Sequence, residues 1–208
     1  MPPPFLDSDI PDFLNGEPTW KSRLGPGWRG TKLLGKGGHG IVGLWEWRGD
    51  PNFAPSITQV VVKMSECNPE LFPTREVFKK TKYDEGITLL KLSRLKSKHI
   101  VRQYGGNRLG DVFNEMDRVV RIFLEYCPGK DCDQFLAKFD EPAKKPLPEL
   151  DLWALFHCMA LGIIVMARGT ENPDALAWDG VPRDTELVHF DIKSDNSKST
   201  FVSILCQI

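Results

Sequence analysis

The 208-residue chain carries 27 basic and 28 acidic side chains, a formal net charge of −1, and 41% hydrophobic residues. The near-neutral balance excludes partners held by bulk attraction, such as nucleic acid or anionic lipid, and the composition is that of a globular chain with room for one large or two small domains. Five scattered cysteines without a C-x-x-C pair support neither a disulfide framework nor a zinc site, and the N-terminus has no apolar run of signal length, so an intracellular location, cytoplasmic or nuclear, is expected.

Residues 1–30 are rich in Pro, Gly, Asp and Trp and read as an irregular leader. The stretch TKLLGKGGHGIVGLWEWRG then sets β-branched and aromatic residues on both sides of a glycine cluster, the pattern of strand, turn and strand. DPNFAPS is a polar break, and ITQVVVKMS is a third strand. Residues 75–95 space Val77, Phe78, Leu89, Leu92 and Leu95 as an amphipathic helix, interrupted near Gly86. HIVRQYGG and RVVRIFLEYC read as two more strands. After CPGKD the character turns helical, with DQFLAKF and then Leu152 to Ala167, which is apolar on every face. That stretch is shorter than the roughly 20 residues a bilayer requires and carries His157, so a buried core helix is expected and no membrane partner. Residues 169–186 read as a polar, Pro/Gly-rich surface loop.

Gly35-Lys36-Gly37-Gly38-His39-Gly40 fits G-x-G-x-x-G, a weak signal alone because glycine clusters also make hairpin turns. A dinucleotide-binding turn would open a helix, whereas IVGLWEW favours a strand. A Walker loop needs Lys then Ser or Thr after its last glycine, and Thr31-Lys32 stands in the wrong order. The remaining nucleotide reading is a hairpin whose bare backbone approaches phosphates. Lys63 ends the apolar run VVVK, and an ammonium in such a strand needs an anion, unless its stem merely snorkels to water.

With Val42 two residues past the last glycine, the sequence resembles the eukaryotic protein kinase family, whose pattern is G-x-G-x-x-G-x-V. The resemblance implies that Gly35, Gly37, Gly40 and Val42 cover a nucleotide, and that Lys63 holds its phosphates while pairing with a glutamate on the next helix. Glu85 is the candidate, since Leu89 one turn on shares its face; Glu76 is the alternative. FLEYCPGKD resembles the family's hinge, with Leu124 as gatekeeper, Glu125 and Cys127 offering backbone groups to adenine, and Asp131 near the ribose. His189 to Asn196 matches H-x-D-x-K-x-x-N. In the family Asp191 orients the attacking hydroxyl, Lys193 neutralises the moving phosphoryl group and Asn196 helps to hold magnesium. Lysine at that place resembles the serine/threonine members.

The resemblance therefore implies an α+β, protein kinase-like two-lobe fold, with an antiparallel β N-lobe and an incomplete helical C-lobe. Its expected divisions are a leader (1–30), N-lobe (31–126), partial C-lobe (127–196) and a tail outside the family pattern (197–208). ATP and Mg2+ are the implied cofactors, and a protein the implied substrate. Two departures stand out: Phe190 replaces the family's arginine, and no D-F-G follows Asn196. Impaired phosphoryl transfer is expected, with an exposed 152–167 helix available to a partner. The alternative is a non-catalytic nucleotide-binding or interaction fragment.

Overall fold

In the computed structural model the described residues are 9–15, 24–37, 40–66, 74–104, 113–114, 119–129 and 147–172. Chain order among them is α1 (Asp9–Asn15), β1 (Trp28–Gly37), β2 (Gly40–Trp47), a 3-10 turn (Pro51–Phe53), β3 (Gln59–Glu66), α2 (Arg75–Ser93), β4 (Phe113–Asn114), β5 (Val119–Leu124) and α3 (Glu149–Arg168). The five strands form one antiparallel sheet in the order β1-β2-β3-β5-β4. The secondary structure is α+β, with α2 between the third and fourth strands.

The runs VVV and VVRIF are buried at consecutive positions, Arg121 included, because both faces of the sheet are covered along β3 and β5. On one face Ile41, Trp45, Val60, Val62, Met64, Val119 and Phe123 are buried together with Trp28 and Phe13. On the other, Val120 and Ile122 pack with Phe78 of α2, and Leu89 and Leu124 close the cluster. Full burial of side chains such as Val62 or Phe78 contributes roughly 1.5–3 kcal/mol each.

Three expectations are corrected. The leader is not wholly irregular, for α1 forms within it and buries Phe13 at 4% exposure. Ile10, Phe13 and Leu14 have helical i, i+3, i+4 spacing and pack on the sheet, while Pro11 is tolerated in a first turn that has no hydrogen bond to lose. Helix α2 passes through Gly86 without a break. Glycine costs about 1 kcal/mol there relative to alanine, but Thr74 caps the helix, its Oγ1 accepting from the Val77 N–H at 3.2 Å, and the apolar face continues to Leu92. Among its described residues, 99–104, the strand expected over HIVRQYGG is reduced to one bridge, Gln103 to Leu124, flanked by Tyr104 N–H to Phe123 O and Glu125 N–H to Arg102 O, both 2.8 Å. Farther along that edge of β5, Val119 and Val120 pair with Asn114 and Phe113, a strand too short to show in the sequence.

Two compact units divide the chain: Met1–Arg94 with Val101–Tyr126, and Leu95–Ile100 with Cys127–Ile208. In the second, α3 is longer than its apolar stretch, running from Glu149 to Arg168, and it ends on Gly169 in the left-handed conformation (φ 74°), whose N–H donates to Val165 O at 2.8 Å. Gly162 lets the 95–100 segment lie close: a Cβ there would sit 3.3 Å from the His99 carbonyl oxygen. Glu171 fastens the same segment, accepting from the Lys98 N–H at 3.1 Å. Leu155, Gly162 and Val165 are buried, yet Leu150, Trp153 and Phe156 are 82%, 64% and 54% exposed, so α3 is not buried all round. By length and composition alone the helix could cross a membrane, a test that core helices of soluble proteins also pass.

Candidate functional site

The register of the sheet draws the expected residues into one row. Gly35 pairs with Val42, Val42 with Lys63, and Lys63 with Ile122. Directly opposed residues of antiparallel strands share a face, so Val42, Lys63 and Ile122 project from the side of the sheet that α2 covers. One row along on that face lie Leu44, Val61 and Leu124.

Helix α2 brings a carboxylate to the row. Lys63 Nζ donates to Glu85 Oε1 at 2.7 Å, with the two side chains 31% and 29% exposed. Glu85 follows Phe78 by seven residues and precedes Leu89 by four, so burying those two on β5 directs Glu85 over β3. Glu76, the alternative, is exposed in the first turn of the helix. At this exposure the ion pair is worth of order 1 kcal/mol. Its chemical effect is larger: it fixes one ammonium, still accessible to solvent, at the edge of an apolar face where an anionic ligand can share it.

The glycines differ in what holds them. Gly40 has φ +139°, and a Cβ there would run into the Met64 carbonyl oxygen, so the fold itself demands glycine. At Gly35 a Cβ would meet nothing within 4 Å. The chain leaves open space over Gly35, beside Val42 and Lys63. Gly37 pairs with Gly40 at the end of the hairpin. Two register shifts in β1, at Gly30/Lys32 and Leu33/Gly35, bend the strand just before these glycines.

Of the residues expected at a hinge, Leu124 is half-buried on the Lys63 face. Glu125 turns back on its own unit: its N–H donates to Arg102 O at 2.8 Å and its Oε2 accepts from Arg102 N–H at 3.2 Å. That leaves its carbonyl, not its N–H, as the backbone group for a ligand. Cys127 is half-buried and forms no disulfide. Asp131, Asp191, Lys193 and Asn196 lie outside the described residues.

The chain is similar to a solved kinase domain. Two structures of the Mycobacterium tuberculosis PknI kinase domain, a single and a double mutant, match at 22% and 23% identity with TM-scores of 0.43 and 0.44. Each match covers 66% of this chain and 47% or 46% of the other, so the chain spans about half the length of the solved structures it matches. No family model matches, and no curated protein does.

A phosphate-bearing ligand fits the described residues in two respects: an ammonium held at the sheet face, and open space at Gly35. For Mg2+ they offer less, since among them no three His, Cys, Asp or Glu side chains converge as a metal site. Sequence reasoning passed over Gly30, Gly43 and Phe13, which meet behind the hairpin. Their signal was the 3–4 spacing of Ile10, Phe13 and Leu14 and the alternation of β2, whose every second residue from Ile41 to Trp45 faces away from Lys63.

Proposed function

We propose that this chain is a protein kinase-like domain that binds ATP, with Lys63 holding the phosphates beneath the hairpin of Gly35, Gly37 and Gly40 and Val42 against the adenine. The observation that carries this reading is the Lys63–Glu85 pair, 2.7 Å long and in register with Val42 and Gly35. A strand lysine snorkelling to water would have no need of a helical carboxylate at this distance. Phosphoryl transfer to protein serine or threonine is the finer reading, supported by the spacing of Asp191, Lys193 and Asn196. Asn196 is the residue the motif assigns to holding Mg2+, which would supply charge neutralisation at the transferring phosphoryl group.

Titration with a fluorescent ATP analogue tests the binding step. Lys63→Ala should weaken binding at least tenfold with the fold intact by circular dichroism; unchanged affinity would remove the site. Radiolabelled γ-phosphate transfer to a generic protein substrate tests the second step. Transfer abolished by Asp191→Ala supports kinase activity, whereas Lys63-dependent binding with no Asp191-dependent transfer leaves a binding domain only.

A further inference from the structure

The back of the glycine hairpin is occupied by α1, and both hairpin strands are shaped to receive it. In β1, a Cβ on Gly30 would run into the Leu14 carbonyl oxygen. In β2, a Cβ on Gly43 would lie 2.7 Å from Phe13 Cε1. Phe13 is 4% exposed and meets Trp45 edge-on, with ring centroids 4.8 Å apart and planes at 84°. Gly43 adjoins Val42 and pairs with Leu33, two residues before Gly35. One short helix thus touches both strands that carry the candidate phosphate-covering glycines, on the face opposite Lys63.

We propose that α1 is an intramolecular clamp and Phe13 a positioning residue: by seating on Gly30 and Gly43 it holds β1 against β2 and fixes the hairpin over the nucleotide. This rests on the nucleotide-binding reading for its functional consequence, but not for its mechanical one. Strand β1 is an edge strand, paired on one side only and interrupted by two register shifts, and an aromatic anchor behind it limits local opening.

The test compares full-length wild type, Phe13→Ala and Phe13→Leu by amide hydrogen exchange resolved by peptide and by titration with the fluorescent ATP analogue. In Phe13→Ala, exchange over β1 and β2 should rise at least tenfold while β3, β5 and α2 stay within twofold, and nucleotide affinity should fall about fivefold or more. Phe13→Leu, which keeps an apolar plug, should recover both to within twofold. Exchange unchanged in β1 and β2 overturns the clamp, and so does an equal rise in every strand, which would make Phe13 an ordinary core residue. If Phe13→Ala does not fold, Phe13→Leu and Leu14→Ala decide by the same regional comparison. If wild type binds no nucleotide, the nucleotide reading falls and the exchange pattern still tests the clamp.

Discussion

Gly35 and Gly40 look alike in the sequence and are unlike in the structure. Gly40 is required by backbone geometry and by the Met64 carbonyl, so Gly40→Ala should destabilise the protein by about 1–3 kcal/mol in urea unfolding. Gly35 has open space around it, so Gly35→Ala should leave stability within about 1 kcal/mol of wild type, and any loss of ATP affinity there reports on a ligand rather than on the fold. Glu85→Gln separates charge from shape in the ion pair. It keeps a hydrogen-bond partner for Lys63 while removing the negative charge, so unfolding stability should change by no more than about 1 kcal/mol. Nucleotide affinity should fall less than in Lys63→Ala.

Among the elements, the first three strands were legible because β-branched and aromatic residues flank Gly/Pro punctuation at strand spacing. Glu85 was legible only as one of two glutamates, since helical periodicity gives a face but not which turn of α2 stands over β3. Packing of Phe78 and Leu89 decides that. Helix α1 was missed because seven residues with a proline carry little periodic signal, and its stability comes from tertiary contact. The strand read over HIVRQYGG shows the converse: hydrophobic residues identify a buried segment without showing how long it stays paired. At the end of α3, hydrogen bonding from Ser97 and the Lys98 N–H holds the Glu171 carboxyl below its ordinary value. A depressed carboxyl pKa contributes stability that is present above the unfolded value, near 4.5, and is lost as pH falls through the folded value. The stability gap between wild type and Glu171→Gln should accordingly be constant from pH 8 to 6 and close below about pH 4, by denaturant unfolding at each pH. A gap independent of pH would show that packing, not ionisation, ties Glu171 to the 95–100 segment.

At the scale of the whole molecule, the row of Gly35, Val42 and Lys63 belongs to the first unit, and the segment from His189 to Asn196 is known by its motif alone. Helix α3 gives the second unit a surface feature of its own. Leu150, Trp153 and Phe156 form an exposed apolar patch. The double substitution Trp153→Glu with Phe156→Lys should lower binding of an apolar dye such as anilinonaphthalene sulfonate several-fold and leave the unfolding midpoint nearly unchanged. Residues already exposed lose little burial when made polar. A large fall in stability instead would mean that the helix face is covered in solution.

The tryptophans supply an optical consequence of the way the hairpin is built. Trp28, Trp45 and Trp47 all stand on its two strands, Trp28 facing Trp47 at 6.2 Å and Trp45 sealed behind Phe13. An indole as enclosed as Trp45 emits at shorter wavelength than one in water, such as the exposed Trp153. The hairpin therefore carries its own chromophores. Selective quenching by iodide, which reaches Trp153 and not Trp45, would isolate the enclosed emission and let opening of the hairpin be followed in unlabelled protein as a shift toward the red.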